Sequence, residues 1–176
     1  MMVVRLGDLI EIEQTNSIRS NQLANESPVR IISDNEYHGS LLNVLKRRNA
    51  NGNINGYHET VLRNNTYNGE YIFLKYDNGI KLHIQDNDAS SKIRLDIHAF
   101  KIKKDSLVSI DYLAYILLSA DFQTYMADIV DKNGRFMLSD LLYKKIAINR
   151  DKAIQKQIVE DAVIREHQRF GSGVEY

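Results

Sequence analysis

The sequence has no cysteine, no tryptophan, one proline and no net charge: its 176 residues carry 23 Lys plus Arg against 23 Asp plus Glu. The lack of Cys excludes a disulfide framework, a thiolate zinc site, an iron–sulfur cluster and a Cys nucleophile. Neutrality argues against a basic coat that grips nucleic acid unaided, but leaves local patches open. No apolar run approaches the roughly 20 residues of a membrane span; the longest, residues 112–118, is far shorter. The opening Met1-Met2-Val3-Val4-Arg5 reaches Asp8 and Glu11 too soon for a secretory signal, so the expected location is the cytoplasm. What is present is 43% hydrophobic and 26% charged, ordinary for a globular domain. A chain of this length should bury about 70% of the surface it exposes when unfolded.

Two textures follow one another. Up to about residue 100 the sequence is rich in Asn, Gly, Tyr and β-branched residues and reads as short strands and turns; from about residue 107 apolar residues recur at helical spacing. Residues 3–12 start apolar and end in one helical turn. Val29-Arg30-Ile31-Ile32-Ser33, entered from Pro28, predicts a strand. Residues 51–56 form a turn-rich tip, because Asn and Gly tolerate left-handed backbone angles. Residues 70–76 give the strongest strand signal; Asp77-Asn78-Gly79 turns the chain and residues 80–84 alternate, which together predict a β-hairpin. Residues 93–102 alternate again, with Ile93, Leu95 and Ile97 on one side.

Helices are predicted over 111–118, capped by Ser109 or Asp111, and from Ser119 or Asp121 onward, with Phe122, Met126, Ile129 and Val130 on one face and Asn133-Gly134 as a left-handed stop. Ser139 should cap a short helix through Tyr143, a short strand occupies 146–148, and a last helix spans 153–170. The expected fold class is α+β (mixed α/β): a β-rich N-terminal half with a twisted sheet and hairpins, and a helical C-terminal half ending in an amphipathic helix. The expected organisation is one domain over 1–150, the helix over 151–170 and a loose tail over 171–176.

Catalytic motifs are scarce. Asp86, Asp88 and Ser90 match the first ligand positions of a calcium loop, but Ser91 stands where the turn needs Gly and Ile97 where the bidentate Glu belongs. Glycine-rich phosphate loops and a Gly-x-Ser-x-Gly elbow are missing. His38, His58, His83, His98 and His167 lack the i, i+4 pairing that zinc sites use. Glu70, Lys75 and Asp77 are the nearest approach to a metal-dependent nuclease set, yet residues five apart on a strand face opposite ways. No catalytic residue, metal or cofactor is therefore expected. Basic residues are more suggestive. Lys46, Arg47 and Arg48 stand beside Asn51 and Asn53, followed by Tyr57, His58 and Arg63; Lys and Arg offer phosphate contacts, and Asn amides match base edges. The same residues suit a solvated charged turn. Further clusters are Lys101, Lys103 and Lys104, and Lys144, Lys145, Arg150 and Lys152.

The order of motifs carries more than any one of them. Leu6-Gly7-Asp8-Leu9-Ile10-Glu11-Ile12 opens the chain, and Tyr67-Asn68-Gly69-Glu70 leads into Tyr71-Ile72-Phe73-Leu74. Phe100-Lys101-Ile102-Lys103 precedes Asp111-Tyr112-Leu113-Ala114-Tyr115-Ile116-Leu117-Leu118-Ser119. Then come Gly134, Leu138-Ser139-Asp140-Leu141-Leu142, Ile146-Ala147-Ile148 and Ala153-Ile154-Gln155-Lys156-Gln157-Ile158-Val159. Over about residues 4–169 this resembles the target recognition domain of type I restriction–modification specificity subunits. It departs at Gln14-Thr15-Asn16, where that family has a Gly, and at Asn149-Arg150-Asp151, where it has prolines.

The resemblance implies a non-catalytic reader of double-stranded DNA in bacterial defence. Such a reader docks on a DNA methyltransferase subunit, with a restriction subunit as a further partner. A full specificity subunit has two such domains and this chain has room for one, which implies a half-length subunit or excised domain and allows a homodimer through the C-terminal helix. DNA contacts are then expected from Lys46, Arg47, Arg48, Asn51, Asn53, Tyr57, His58 and Arg63, joined by Lys75, Lys81 and Arg135. A partner helix is expected to meet Ile154, Gln155, Ile158, Val159 and Ala162. A second reading is a protein-interaction module of the same fold without a DNA role, which neutrality and 10 Tyr permit.

Overall fold

The computed structural model describes residues 1–12, 17–19, 30–48, 61–63, 66–104 and 106–170. In chain order the strands and helices of the first part are β1 (Met2–Arg5), β2 (Ile10–Ile12), β3 (Ser17–Arg19), α1 (Leu41–Lys46), β4 (Val61–Arg63), β5 (Tyr67–Asn68), β6 (Tyr71–Tyr76), β7 (Ile80–Gln85), β8 (Ser90–Ser91) and β9 (His98–Ile102). The second part holds α2 (Ile110–Leu118), α3 (Ala120–Ile129), α4 (Leu138–Tyr143), β10 (Lys145–Ile148) and α5 (Lys152–Phe170). This is a mixed α+β fold with antiparallel sheets, as the sequence predicts. The main sheet has the order β2-β9-β6-β7; β1 pairs with β10, β3 with β4 and β5 with β8.

The hairpin β6–β7 positions everything else. Its turn places Asn78 at φ 54 and Gly79 at φ 143, a backbone that Gly adopts at little cost and Asn tolerates. The register pairs Ile72 with Ile84, Leu74 with Leu82 and Tyr76 with Ile80. Side chains alternate across a strand, so these residues face one core while Tyr71, Phe73 and His83 face another. The first core is closed by helices, through Leu113, Leu117, Phe122 and Met126. The second is closed by Ile32, Tyr37, Tyr67, Ile93 and Ile97. Completely burying a side chain such as Phe122 contributes about 2–3 kcal/mol relative to exposing it. A sheet covered on both faces explains why Tyr71 through Leu74 are all buried.

The helices begin where side-chain caps supply acceptors. The hydroxyl of Ser109 accepts from Tyr112 N–H at 3.2 Å, and that of Ser119 from Phe122 N–H at 3.3 Å. Ser119 is also the C-cap of α2, and its own hydroxyl donates to Ile116 C=O at 2.7 Å. On α5, Gln155, Val159 and Ala162 are buried against the body of the same domain, chiefly α2 and α1. Glu166 reaches the start of α1, its carboxylate accepting from Leu41 N–H at 3.2 Å and Leu42 N–H at 2.7 Å.

Four local expectations are corrected. Of the strand expected over 29–33, the described part is an isolated bridge of Ile31 with Lys92. Ser33 and Glu36 form a capping box that starts a 3-10 turn at Asp34–Glu36 and stops the extension. The strand expected over 93–102 begins only at His98. Before it, Ile97 N–H closes a turn onto Arg94 C=O at 3.1 Å, so Ile93 and Ile97 are buried as turn neighbours and Leu95 is left exposed. Helix α3 stops at Ile129, ahead of Gly134, because the Asp131 carboxylate takes the N–H groups of Asn133 and Arg135. Ser139 lies inside the first turn of α4, whose N-cap is Met137 without a side-chain bond.

Candidate nucleic-acid interface

Apart from Arg63, the expected contact residues that the structure describes fall into two groups, one at the end of α1 and one around the turn end of the hairpin. The first lies where α1 ends. Lys46 is exposed in its last turn and Arg47 follows, half-buried. Arg48 does not reach out to solvent as a free cation: its guanidinium pairs with Asp86 at 3.2 Å and Asp111 at 2.9 Å. These carboxylates come from just after β7 and from the first turn of α2, so Arg48 ties three elements together. Beside them, burial raises the Glu70 carboxyl above its ordinary pKa, opposed by the Arg48 charge. Asn51, Asn53, Tyr57 and His58 lie outside the described residues. Arg63 ends β4, in register with Ser17 of β3.

The second group lies at the turn end of the hairpin. Lys75 and Lys81 are directly opposite each other on β6 and β7. Like charges in that relation repel, and each is met by a carboxylate: Asp34 lies 3.4 Å from Lys75 and Asp77 lies 3.7 Å from Lys81. Asp34 also receives Arg94 at 2.8 Å. Arg135 is exposed on the turn after α3. Gly134, at φ +75, brings that turn against Tyr76: a Cβ there would sit 3.6 Å from the Tyr76 ring. The fold thus gathers Lys75, Lys81 and Arg135 at one end of the sheet and leaves Lys46 to Arg48 at the other. From Lys81 to Asp86, at about 3.3 Å per residue, the two groups are about 17 Å apart.

Behind these ends the second core is polar as well as aromatic. Gln85 is fully buried; its amide donates to Tyr67 C=O at 2.9 Å and Gly69 C=O at 2.8 Å and accepts from Ser91 Oγ. His83 is buried with Nδ1 3.1 Å from Glu36 C=O, and burial pushes its pKa down to about 4. Glu36 takes Arg30 at 2.9 Å and Ser33 N–H at 2.9 Å, and burial raises its carboxyl. Sequence patterns did not signal Asp34, Arg94, Gln85 or Glu166, or the ion pair of Asp86 with Arg48, because the partners lie apart along the chain. Among the described residues no group of three or more His, Asp or Glu is gathered that could hold a metal ion. Among them, too, no helix is long and apolar enough to cross a membrane.

The expected partner-helix residues divide. Gln155 is fully buried, and its amide donates to Leu107 C=O at 2.7 Å and Asn149 C=O at 2.6 Å while accepting from Ser109 N–H at 3.1 Å. Val159 and Ala162 also face inward, whereas Ile154 is 44% exposed and Ile158 half-buried. The inward set is consumed by the domain itself. No protein-family model matches the sequence, and no curated protein is significantly similar to it.

Proposed function

We propose that the protein is a non-catalytic reader of double-stranded DNA: a half-length specificity subunit, or a recognition domain, of a type I restriction–modification system. It works in the cytoplasm with a DNA methyltransferase subunit. The observation that carries this reading is the pair of cationic groups at the two ends of β6–β7. A spacing of about 17 Å is half a turn of B-DNA, whose turn is about 34 Å, a span that one duplex covers along the edge of the domain. The ion pair at Lys81 is exposed enough to exchange a carboxylate for a phosphate at little cost, while at Lys75 it is the partner Asp34 that stands exposed. Ile154 and Ile158 supply an apolar flank for a partner helix, and neutral net charge suits a reader whose partner grips the duplex. The test is duplex binding across a salt series, with and without the cognate methyltransferase. Neutralising about three phosphates gives a log–log salt slope near −3. Lys46→Glu, Lys81→Glu and Arg135→Glu should each flatten it by about 1. A protein that binds no duplex in either setting is not such a reader.

A second reading draws on a specific observation. Arg48, Lys75 and Lys81 each already meet a carboxylate, which fits a protein-interaction module with no DNA role. Reversal of Lys46 and Arg47 that abolishes nothing but leaves partner capture intact favours this reading.

A further inference from the structure

The outer face of the β1–β10 ribbon is built from residues that the DNA reading leaves unused. Val3 is opposite Ala147 and Arg5 opposite Lys145. All four are exposed, while Ile146 and Ile148 turn into the core. Tyr143, just before β10, is 63% exposed, and the Arg5 guanidinium lies over its ring at 5.1 Å.

Two features set this face apart. Arg5 and Lys145 are like charges directly opposite on adjacent strands, an arrangement that costs stability. Neither forms an ion pair with a carboxylate among the described residues. Two neighbouring cations are engaged: Lys144 holds Asp121 at 3.2 Å and Lys152 donates to Ser106 C=O at 3.2 Å. Second, neither strand pairs with a third among the described residues. Leu6 N–H donates to Lys144 C=O at 3.0 Å, and Arg5 N–H turns away to Asp8 at 3.0 Å. By the alternation of an antiparallel ladder, the N–H and C=O groups of Lys145 and Ala147 therefore point outward along β10. A cleft of about 500 Å³ runs beside this strand, lined by Val3, Lys145, Ala147, Tyr115 and Ile158 among others.

We infer that this cleft receives an extended segment of a partner protein as an added strand on β10, with an acidic residue two positions from an apolar one. The backbone ladder supplies the attachment and the alternate side chains supply the choice, as in other strand additions. A residue opposite Ala147 packs on Val3 and Ala147. Two positions along on the same face, a carboxylate comes beside Lys145 and Arg5 and relieves the repulsion between them. Unpaired strand edges with apolar neighbours are surfaces that proteins otherwise cover or blunt.

A fluorescein-labelled Thr-Val-Thr-Val-Thr-Glu-Thr peptide, followed by anisotropy and by amide resonance shifts on the full chain, tests this. Binding in the range of tens to hundreds of micromolar is expected, with the largest shifts at Lys145 and Ala147. Lys145→Glu should weaken it at least tenfold, and a peptide with Lys in place of Glu should recover binding to that variant. Because Lys145 is exposed, the variant keeps the fold, which unchanged resonances of the main sheet verify. A peptide with Pro at the central Val should lose binding through the missing N–H. Equal affinity for the Glu and Lys peptides, shifts elsewhere only, no binding at millimolar peptide, or capture of a single-stranded oligonucleotide in the peptide's place overturns the inference.

Discussion

Replacing Gln155 by Met tests how the last helix is fastened. Met keeps the length of the side chain and removes all three of its hydrogen bonds, stranding Leu107 C=O, Asn149 C=O and Ser109 N–H. Each orphaned group costs about 1–1.5 kcal/mol where water reaches it only in part, and the extra apolar burial returns about 1 kcal/mol. The net loss is about 3 kcal/mol, read as a fall in urea midpoint or as a drop of about 6–12 °C in Tm for a domain of this size. Gln155→Glu sharpens the test. Its carboxylate still accepts from Ser109 N–H but faces the two carbonyls, so its folded-state pKa is raised above the unfolded value. The stability of that variant is then fully present below the unfolded pKa and lost as pH rises through the folded one. Urea melts at pH 4 and pH 7 measure the difference. A Gln155→Met protein within 0.5 kcal/mol of the parent, or a Gln155→Glu protein indifferent to pH, refutes the reasoning.

Three further outcomes are expected. Glu166→Gln should cost about 1 kcal/mol and speed amide exchange at Leu41 and Leu42 while β6 stays protected, which exchange mass spectrometry can resolve. His83, buried neutral with a pKa near 4 against 6.5 unfolded, takes up its proton more readily when unfolded. Stability should therefore fall by about 3 kcal/mol as pH drops from 6.5 to 4; melts of His83→Phe across that window should lack this slope. Arg48→Ala should cost up to about 1 kcal/mol, since its pairs are partly exposed, and raise the Glu70 pKa further, visible in a carboxylate titration by NMR.

What the sequence disclosed was local. Asp77-Asn78-Gly79 announces a turn whatever surrounds it, and Ser109 and Ser119 announce helix starts through bonds made within three residues. Alternation misled where turns imitate it: Ile93 and Ile97 share a face in a strand and again in the turn that formed. The candidate site was legible as residue types but not as a charge state. Lys75 and Lys81 read as cations free to meet phosphate, whereas Asp34 and Asp77 stand beside them. The apolar stripe of α5 was visible by period, but which side of it the domain keeps depends on Gln155, whose partners lie beyond any local window. Of the expected partner positions, those at Ile154 and Ile158 stay accessible and those at Gln155, Val159 and Ala162 do not.

Ser119 alone separates α2 from α3, serving as the C-cap of the first and the N-cap of the second. Both helices press on the same sheet, so the elbow works as a fixed gear. One inserted residue would turn α3 by about 100° and carry Phe122 and Met126 out of their seats, whereas the turn at Asp131 to Arg135 closes on its own side-chain bonds and can change length freely. Variation among relatives in the length of this stretch should therefore collect after α3 and never before it.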